Sequence, residues 1–275
     1  MESVNLNKYY EELNNYIDIS LSKEAKNFGL IVEGEAGFGK TTQIVTQILK
    51  RKIPSKYIKS YTTPLSLYKT LYENKDKIVI LDDCDSLFSN RTALAILKGA
   101  LDDSIAGRVV QWNSTTPLLN SMGIEPEFTF KGRIIIIVNE ISSKNNDIKA
   151  IKSRCFYSKI MFNLTKKLEM IQLLSNNREK KKVYNLLLKE ATKYHKFDFR
   201  TFNKLVGIYT SKGLKALRLS LNNLLEEDTS LIAFDKATEN KSLTVSAQVR
   251  LFRDLSGLSR ASFFRIKRKV SKSHE

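Results

Sequence analysis

The sequence predicts an α/β domain built on a mostly parallel sheet, followed by a helical unit and a small all-α module. Apolar β-branched runs at 29–33, 57–61, 77–81, 133–138 and 157–162 are separated, in several places, by stretches of helix-like periodicity. Alternation of this kind covers both faces of the strands with helices and favours parallel pairing. From Leu164 onward the period changes. Helical spacing runs through EMIQLLSNN, KKVYNLLLKEATKYH and FRTFNKLVGIY with few strand-like runs.

The first run leads into LIVEGEAGFGKTTQIV, where Gly34, Gly37, Gly39, Lys40 and Thr41 satisfy GxxxxGK[ST] between a strand and an apolar-periodic helix start. The glycines let backbone N–H groups curl around a β-phosphate at a helix N-terminus. Lys40 then reaches the β/γ-phosphates and the Thr41 hydroxyl takes a place on Mg²⁺. The expected ATP cradle is Gly34, Glu35, Ala36, Gly37, Phe38, Gly39, Lys40, Thr41 and Thr42.

The third run, KIVILDDCD, ends in Asp82 and Asp83. It looks like a Walker B element, in which Asp82 holds Mg²⁺ through water and Asp83 orients the attacking water. The competing expectation is that the two carboxylates only cap the following turn. The fourth run, GRIIIIVNEIS, ends in Asn139, and AIKSRCFYSKI places Arg154 after it.

Over about 29–225 these motifs resemble the AAA+ family of oligomeric P-loop ATPases. That resemblance implies a parallel sheet flanked by helices and followed by a helical lid. It makes Asn139 a sensor of γ-phosphate and Arg154, within Ser153–Arg154–Cys155, a finger reaching a neighbouring subunit's ATP. An arginine there neutralises charge spreading over phosphate oxygens in the transition state. Arg200, opening the helix in KFDFRTFNKLVGIY, is similar to the family's lid arginine, with a solvated helix end as the alternative. Many members carry Glu where this chain has Asp83. RVVQWN and EFTFKGR resemble the hairpin that DNA-translocating members insert before the sensor strand. In the long stretch 89–132 that carries this hairpin, Lys98, Arg108 and Trp112 are the residues to follow, with plain packing the other role for Trp112.

The last segment, VSAQVRLFRDLSGLSRASFFRIKRKVSKSHE, has two short helices meeting at Ser-Gly-Leu, with Ser259 as an N-cap. It resembles the second half of a helix-turn-helix from transposon and phage proteins, and 244–275 holds eight Lys/Arg against two acids. A stripe of Phe263, Ile266 and Val270 would leave Ala261, Arg265, Arg268 and Lys272 on the opposite face. Arg260, Arg265, Arg268 and Lys272 are the expected DNA contacts; a solvated basic helix or coiled tail is the alternative.

The chain therefore divides into an N-terminal helical segment at 1–28, a nucleotide-binding domain at 29–162, a lid at 163–227, a linker at 228–243 and a helix-turn-helix module at 244–275. The first segment has an amphipathic helix through YYEELNNYI that packs beside the nucleotide or binds a partner. The chain's 275 residues, 42% of them apolar, suffice for two or three compact units. Its 46 Lys+Arg against 29 Asp+Glu, a formal charge of +17, point to a polyanionic partner with DNA as first candidate, or to the lysine-rich usage of AT-rich genomes. Cys84 and Cys155 have neither disulfide density nor ligand spacing, which fits a reducing cytoplasm, that of the host if the chain is phage-encoded. The longest aliphatic run, 134–138, is far short of the roughly 20 residues a membrane span needs.

Two functions stand first. One is a replication helicase of a phage or mobile element, an oligomeric ring for which six subunits is one option. The other is an ATP-switched initiator or helicase loader with slow hydrolysis, working with a replication partner protein. A small-molecule phosphotransferase would need a lid rich in arginines, and this one offers mainly Arg178 and Arg200.

Overall fold

The computed structural model describes residues 6–22, 25, 27–103, 107–113, 118–141, 145–190, 195–240 and 242–271. The chain divides into two compact units, Asn5–Met161 and Phe162–Glu275.

The first unit opens with α1 (Glu11–Leu21), β1 (Gly29–Gly34), α2 (Lys40–Lys50), β2 (Ser55–Lys59), α3 (Pro64–Glu73), β3 (Ile78–Asp82) and α4 (Arg91–Ala100). It continues through β4 (Val109–Gln111), a short α5 (Leu118–Ser121), β5 (Glu127–Thr129), β6 (Arg133–Val138), α6 (Asn146–Ser153) and β7 (Cys155–Ile160). Five strands form one parallel sheet in the order β2-β3-β6-β1-β7. β1 and β3 are buried at every position and β6 at all but its first, which is why they read as unbroken apolar runs. β6 lies between β1 and β3, so the phosphate loop, the Asp82–Asp83 pair and Asn139 all leave the sheet at its carboxyl edge, on neighbouring strands. In open α/β sheets ligands bind outside that edge.

Helix starts follow their caps: Thr63 for α3, Asn90 for α4 and Asn145 for α6 each accept a hydrogen bond from a first-turn amide. The core joins sheet residues such as Ile31, Val79 and Ile136 to Leu67 and Leu71 of α3 and to Leu94 and Leu97 of α4. β4 and β5 pair antiparallel, with Val110 opposite Phe128. The hairpin's apolar side is part of this core: Val110, Phe128 and Phe130 are buried, and Phe128 meets the rings of Tyr68 and Tyr72 edge-on.

The second unit contains α7 (Leu164–Leu174), α8 (Arg178–Glu190), β8 (His195–Lys196), α9 (Phe199–Leu224), β9 (Glu226–Glu227), α10 (Thr229–Glu239), α11 (Val245–Ser256) and α12 (Arg260–Ser271). Ile171, Val183, Leu187, Phe202, Leu205 and Leu217 form the centre of one core, drawn from α7, α8 and α9. α9 is interrupted at Gly213, whose φ of 76° and ψ of −170° are not helical. The two-residue ladder of β8 and β9 was not expected from sequence.

Residues 228–243 are not a plain linker. α10 occupies most of that stretch, and its Ala233, Phe234 and Ala237 are buried with Val249 and Phe252 of α11 and Phe263 and Ile266 of α12. The helical stripe in α10 is short and polar-flanked, which hides it in the sequence. Among the described residues no helix is long and apolar enough to cross a membrane, and both cysteines are free and buried.

Candidate nucleotide and nucleic-acid sites

The phosphate loop follows from two glycine requirements. At Gly34 a Cβ would lie 2.4 Å from the Ile160 carbonyl oxygen of β7, so only glycine lets β1 end so close to its neighbour. Gly39, at φ 76°, is the N-cap of α2, a left-handed conformation that most side chains resist. Together they place Lys40 and Thr41 in the first turn of α2. Glu35, Ala36 and Thr42 are exposed, whereas Phe38 is buried.

Lys40 is 6% exposed, yet its ammonium has acceptors: the carbonyls of Gly34 and Glu35, the latter at 2.9 Å, and Asn139 Oδ1 at 3.2 Å. Thr41 Oγ1 donates toward the Asp82 carboxylate at 3.1–3.2 Å. Asn139 Nδ2 donates to Asp83 Oδ1 at 3.4 Å, so Asn139 joins Lys40 to Asp83. Asp83 holds a left-handed backbone, φ 53°, which aspartate tolerates better than most residues, and its amide donates to the Ile137 carbonyl of β6.

Asp82 is 2% exposed and, among the described residues, has no lysine or arginine at ion-pair distance. A buried carboxylate supplied only with hydroxyl donors is costly unless a cation joins it. With Thr41 it fits a divalent ion. Among the described residues no cluster of three His, Cys, Asp or Glu could hold a metal unaided, so the ion would complete its shell with phosphate oxygens and water.

Tyrosines missed by sequence reasoning flank this centre. Tyr10, before α1, is 3% exposed and donates its hydroxyl to the Phe38 carbonyl inside the phosphate loop; burial raises its phenol above the ordinary range. Gln43 of α2 donates to Asn14 at 2.7 Å, so α1 is fastened to the loop and to the helix after it. Tyr57 of β2 donates to Asp82 Oδ2, and desolvation followed by the Asp82 carboxylate raises its phenol too. Glu33, just before the loop, is opposed by burial but held below its ordinary pKa by Tyr157 at 2.6 Å and by the ammoniums of Lys159 and Lys152.

Arg154 ends α6 and precedes β7. It is half-buried, with a guanidinium N–H donated to the Ala150 carbonyl at 2.9 Å and Nε 3.8 Å from Asp102. Register fixes its place: Cys155 is level with Gly29, and Ile160 with Gly34. Arg154, one residue before Cys155, thus stands at the amino edge of the sheet, six residues or roughly 20 Å along the strand from the level of Gly34. It is not gathered with Lys40, Asp82, Asp83 and Asn139. Arg200 is exposed in the first turn of α9, in the second unit.

Lys98 of α4 and Arg108 and Trp112, which flank β4, are engaged within the first unit. Lys98 pairs with Asp147 at 2.8 Å. Arg108 lies 3.6 Å over the Phe28 ring and donates to the Gly132 carbonyl; burial, then Arg133, pulls it down to about 10. Trp112 packs against Tyr68.

In the terminal helices, Phe263 and Ile266 are buried and Val270 packs beside them, as the stripe requires. Thr244 caps α11, Ser259 accepts from the Ser262 amide, and Gly257 turns the chain between the helices. Ala261, Arg265 and Arg268 are exposed on the other face, and Arg260 lies over the Phe264 ring at 5.6 Å. Lys272 lies outside the described residues. A cleft of about 720 Å³ opens between α11 and the start of α12, lined by Arg250, Arg253 and Arg260 with Ser246, Ser259 and Asp254.

No protein-family model matches the chain. An uncharacterized 36.7 kDa protein from the nrdC-mobD intergenic region of Enterobacteria phage T4 is 35% identical over 116 residues, which is 40% of this chain and 35% of that protein. The match therefore spans about a third of the relative's length. Two Thermotoga maritima RuvB variants superimpose with TM-scores of 0.53 and 0.51 at 10% and 12% identity, covering 93% and 95% of this chain and 83% and 88% of theirs. A replication initiator DnaA bound to AMPPCP and single-stranded DNA gives 0.51 at 14% identity, over 96% of this chain and 88% of that one. The chain shares the fold of these proteins, a five-stranded parallel sheet flanked by helices with a helical region after it.

Proposed function

We propose that this chain is an ATP-dependent AAA+ ATPase that acts on DNA. The observation that carries this is the convergence of Lys40, Thr41, Asp82 and Asn139 at the carboxyl edge of three adjacent strands, with Asp83 hydrogen-bonded to Asn139. Lys40 is already held forward by its acceptors and would turn its protons to the phosphates when ATP enters. Asp83 accepts a proton or a hydrogen bond from the attacking water, and Asn139 keeps that carboxylate in line. Mg²⁺, when bound at Thr41 and Asp82, would neutralise charge on the phosphate oxygens. Arg154 is too far to serve its own subunit's site, which supports action on a neighbour in an oligomer.

DNA as partner is supported by the net charge of +17, by exposed Arg265 and Arg268, and by the arginine-lined cleft beside them. The arrangement of α11 and α12 supports a helix-turn-helix with α12 as the reading helix. Between a replication helicase of a phage or mobile element and an ATP-switched initiator or loader, one observation favours the second. Lys98 on α4, and Arg108 and Trp112 beside β4, the residues followed as candidates for a translocating pore, are spent on contacts within their own unit.

The test is ATP turnover and particle size with and without ATP and duplex DNA, in wild type and in Lys40→Ala. The expected outcome is ATP-dependent assembly that Lys40→Ala abolishes together with tight ATP binding; unchanged affinity in the variant would remove the nucleotide assignment. Strand displacement on a forked duplex by wild type would restore the helicase over the switch.

A further inference from the structure

The contact between Tyr57 and Asp82 has no counterpart in the motifs, and packing does not account for it. β2 is an edge strand with exposed or half-exposed side chains throughout, and the tyrosine itself is 40% exposed. Its neighbour Ile58, not Tyr57, packs on the core. Register sets Tyr57 level with Ile80, two residues before Asp82, so the ring leans along the sheet by roughly 7 Å to bring its hydroxyl to Oδ2. At the other end, Asp82 is buried and lacks an ion pair among the described residues, among which its carboxylate otherwise accepts only from Thr41. An exposed ring on a sheet edge is thus anchored by one polar atom to a buried carboxylate that has few donors.

We infer that Tyr57 is a positioning residue for Asp82: its hydroxyl donates to Oδ2, the Thr41 hydroxyl is shared by both oxygens at 3.1–3.2 Å, and Oδ1 is left as the oxygen for the metal. A carboxylate can rotate about its last torsion, and a donor on one oxygen removes that freedom before the cation arrives. The inference rests on the ATP-binding reading above and assigns a residue outside its motifs. It also predicts that the tyrosine matters for the metal-dependent part of nucleotide binding alone.

The variant is Tyr57→Phe, which keeps the ring and removes the hydroxyl. Binding of a fluorescent ATP analogue is measured in EDTA and across a Mg²⁺ titration, with thermal melting as a check on folding. The expected result is unchanged affinity in EDTA and a half-saturating Mg²⁺ concentration raised about 10–100-fold, the usual effect of losing such an outer partner, with full binding regained at excess Mg²⁺. A Mg²⁺ requirement equal to wild type overturns the inference. A lower one overturns it too, because the hydroxyl would then be a competitor of the metal. Asp82→Asn provides a second arm that does not depend on Tyr57→Phe alone: in that background Tyr57→Phe should change the Mg²⁺ requirement no further, and an undiminished effect means that the tyrosine acts elsewhere. Wild type that binds no nucleotide at all would sink the ATP reading, a result distinct from all of these.

Discussion

The chain places positive charge in two contrasting settings, and it builds them in opposite ways. Lys40 is buried, fixed by a glycine cap behind it and given three acceptors in front. Arg265 and Arg268 are exposed on the face of α12 opposite the buried stripe, and Arg268 Nε donates to the Phe264 carbonyl at 3.4 Å. A buried cation works on one ligand in one geometry and loses function if the backbone shifts. Exposed arginines tolerate many poses of a long polyanion, and each contributes a modest, salt-screened share.

The largest effect expected from breaking this contrast lies outside both places. Arg154→Ala should lower turnover in the assembled state by about 10³–10⁵-fold, the worth of arginine fingers supplied in trans, while single-site ATP affinity stays near wild type. Mixing Arg154→Ala with Lys40→Ala subunits should restore part of the turnover at interfaces where both residues are intact. Assembly without any recovery would place the arginine outside the reaction.

Next comes Phe263, fully buried with ring centroids 5.1–5.5 Å from Phe234, Phe252 and Phe264. Phe263→Ala should cost about 3–5 kcal/mol, enough to unfold a core this small. Duplex binding should vanish while ATP binding persists, measured by anisotropy and by a nucleotide-binding assay on one preparation. Loss of both would mean that the two sites do not stand on separate cores.

The smallest effect sharpens the exposed side. Replacing Arg265 and Arg268 together by alanine should weaken duplex binding and flatten its log–log salt dependence by up to about 1.8, at about 0.9 per phosphate contact. Circular dichroism and DNA-free ATP turnover should not move. An unchanged salt slope would shift the contact to Arg250, Arg253 and Arg260 in the neighbouring cleft.

The sequence made the buried cation legible because its geometry demands particular residues at particular spacing: Gly34 has no room for a Cβ, Gly39 holds a left-handed backbone that most side chains resist, and Lys40 and Thr41 follow them. β1, β3 and β6 were equally legible, since burial on both faces leaves an unbroken apolar run. The sheet edges were harder. β2 begins at Ser55 and β7 at Cys155, each two residues before its apolar run, because an exposed edge relaxes the pattern. α10 was hidden by a short stripe of Ala233, Phe234 and Ala237 among polar residues. Tyr57 and Tyr10 were invisible for another reason: their partners lie 25 and 28 residues away, and the contacts exist only once the sheet has formed.

Gly213 shows why open space is a poor guide to which positions a protein will let change. A side chain there would meet nothing within 4 Å, so a survey of contacts would mark it as free to vary. Its backbone, at φ 76° and ψ −170°, sits where glycine is nearly alone among residues. In a library of random substitutions, position 213 should therefore be depleted of every replacement while densely contacted neighbours on α9 still accept conservative ones. Survivors there should carry a second change that lets the two halves of α9 run as a single straight rod.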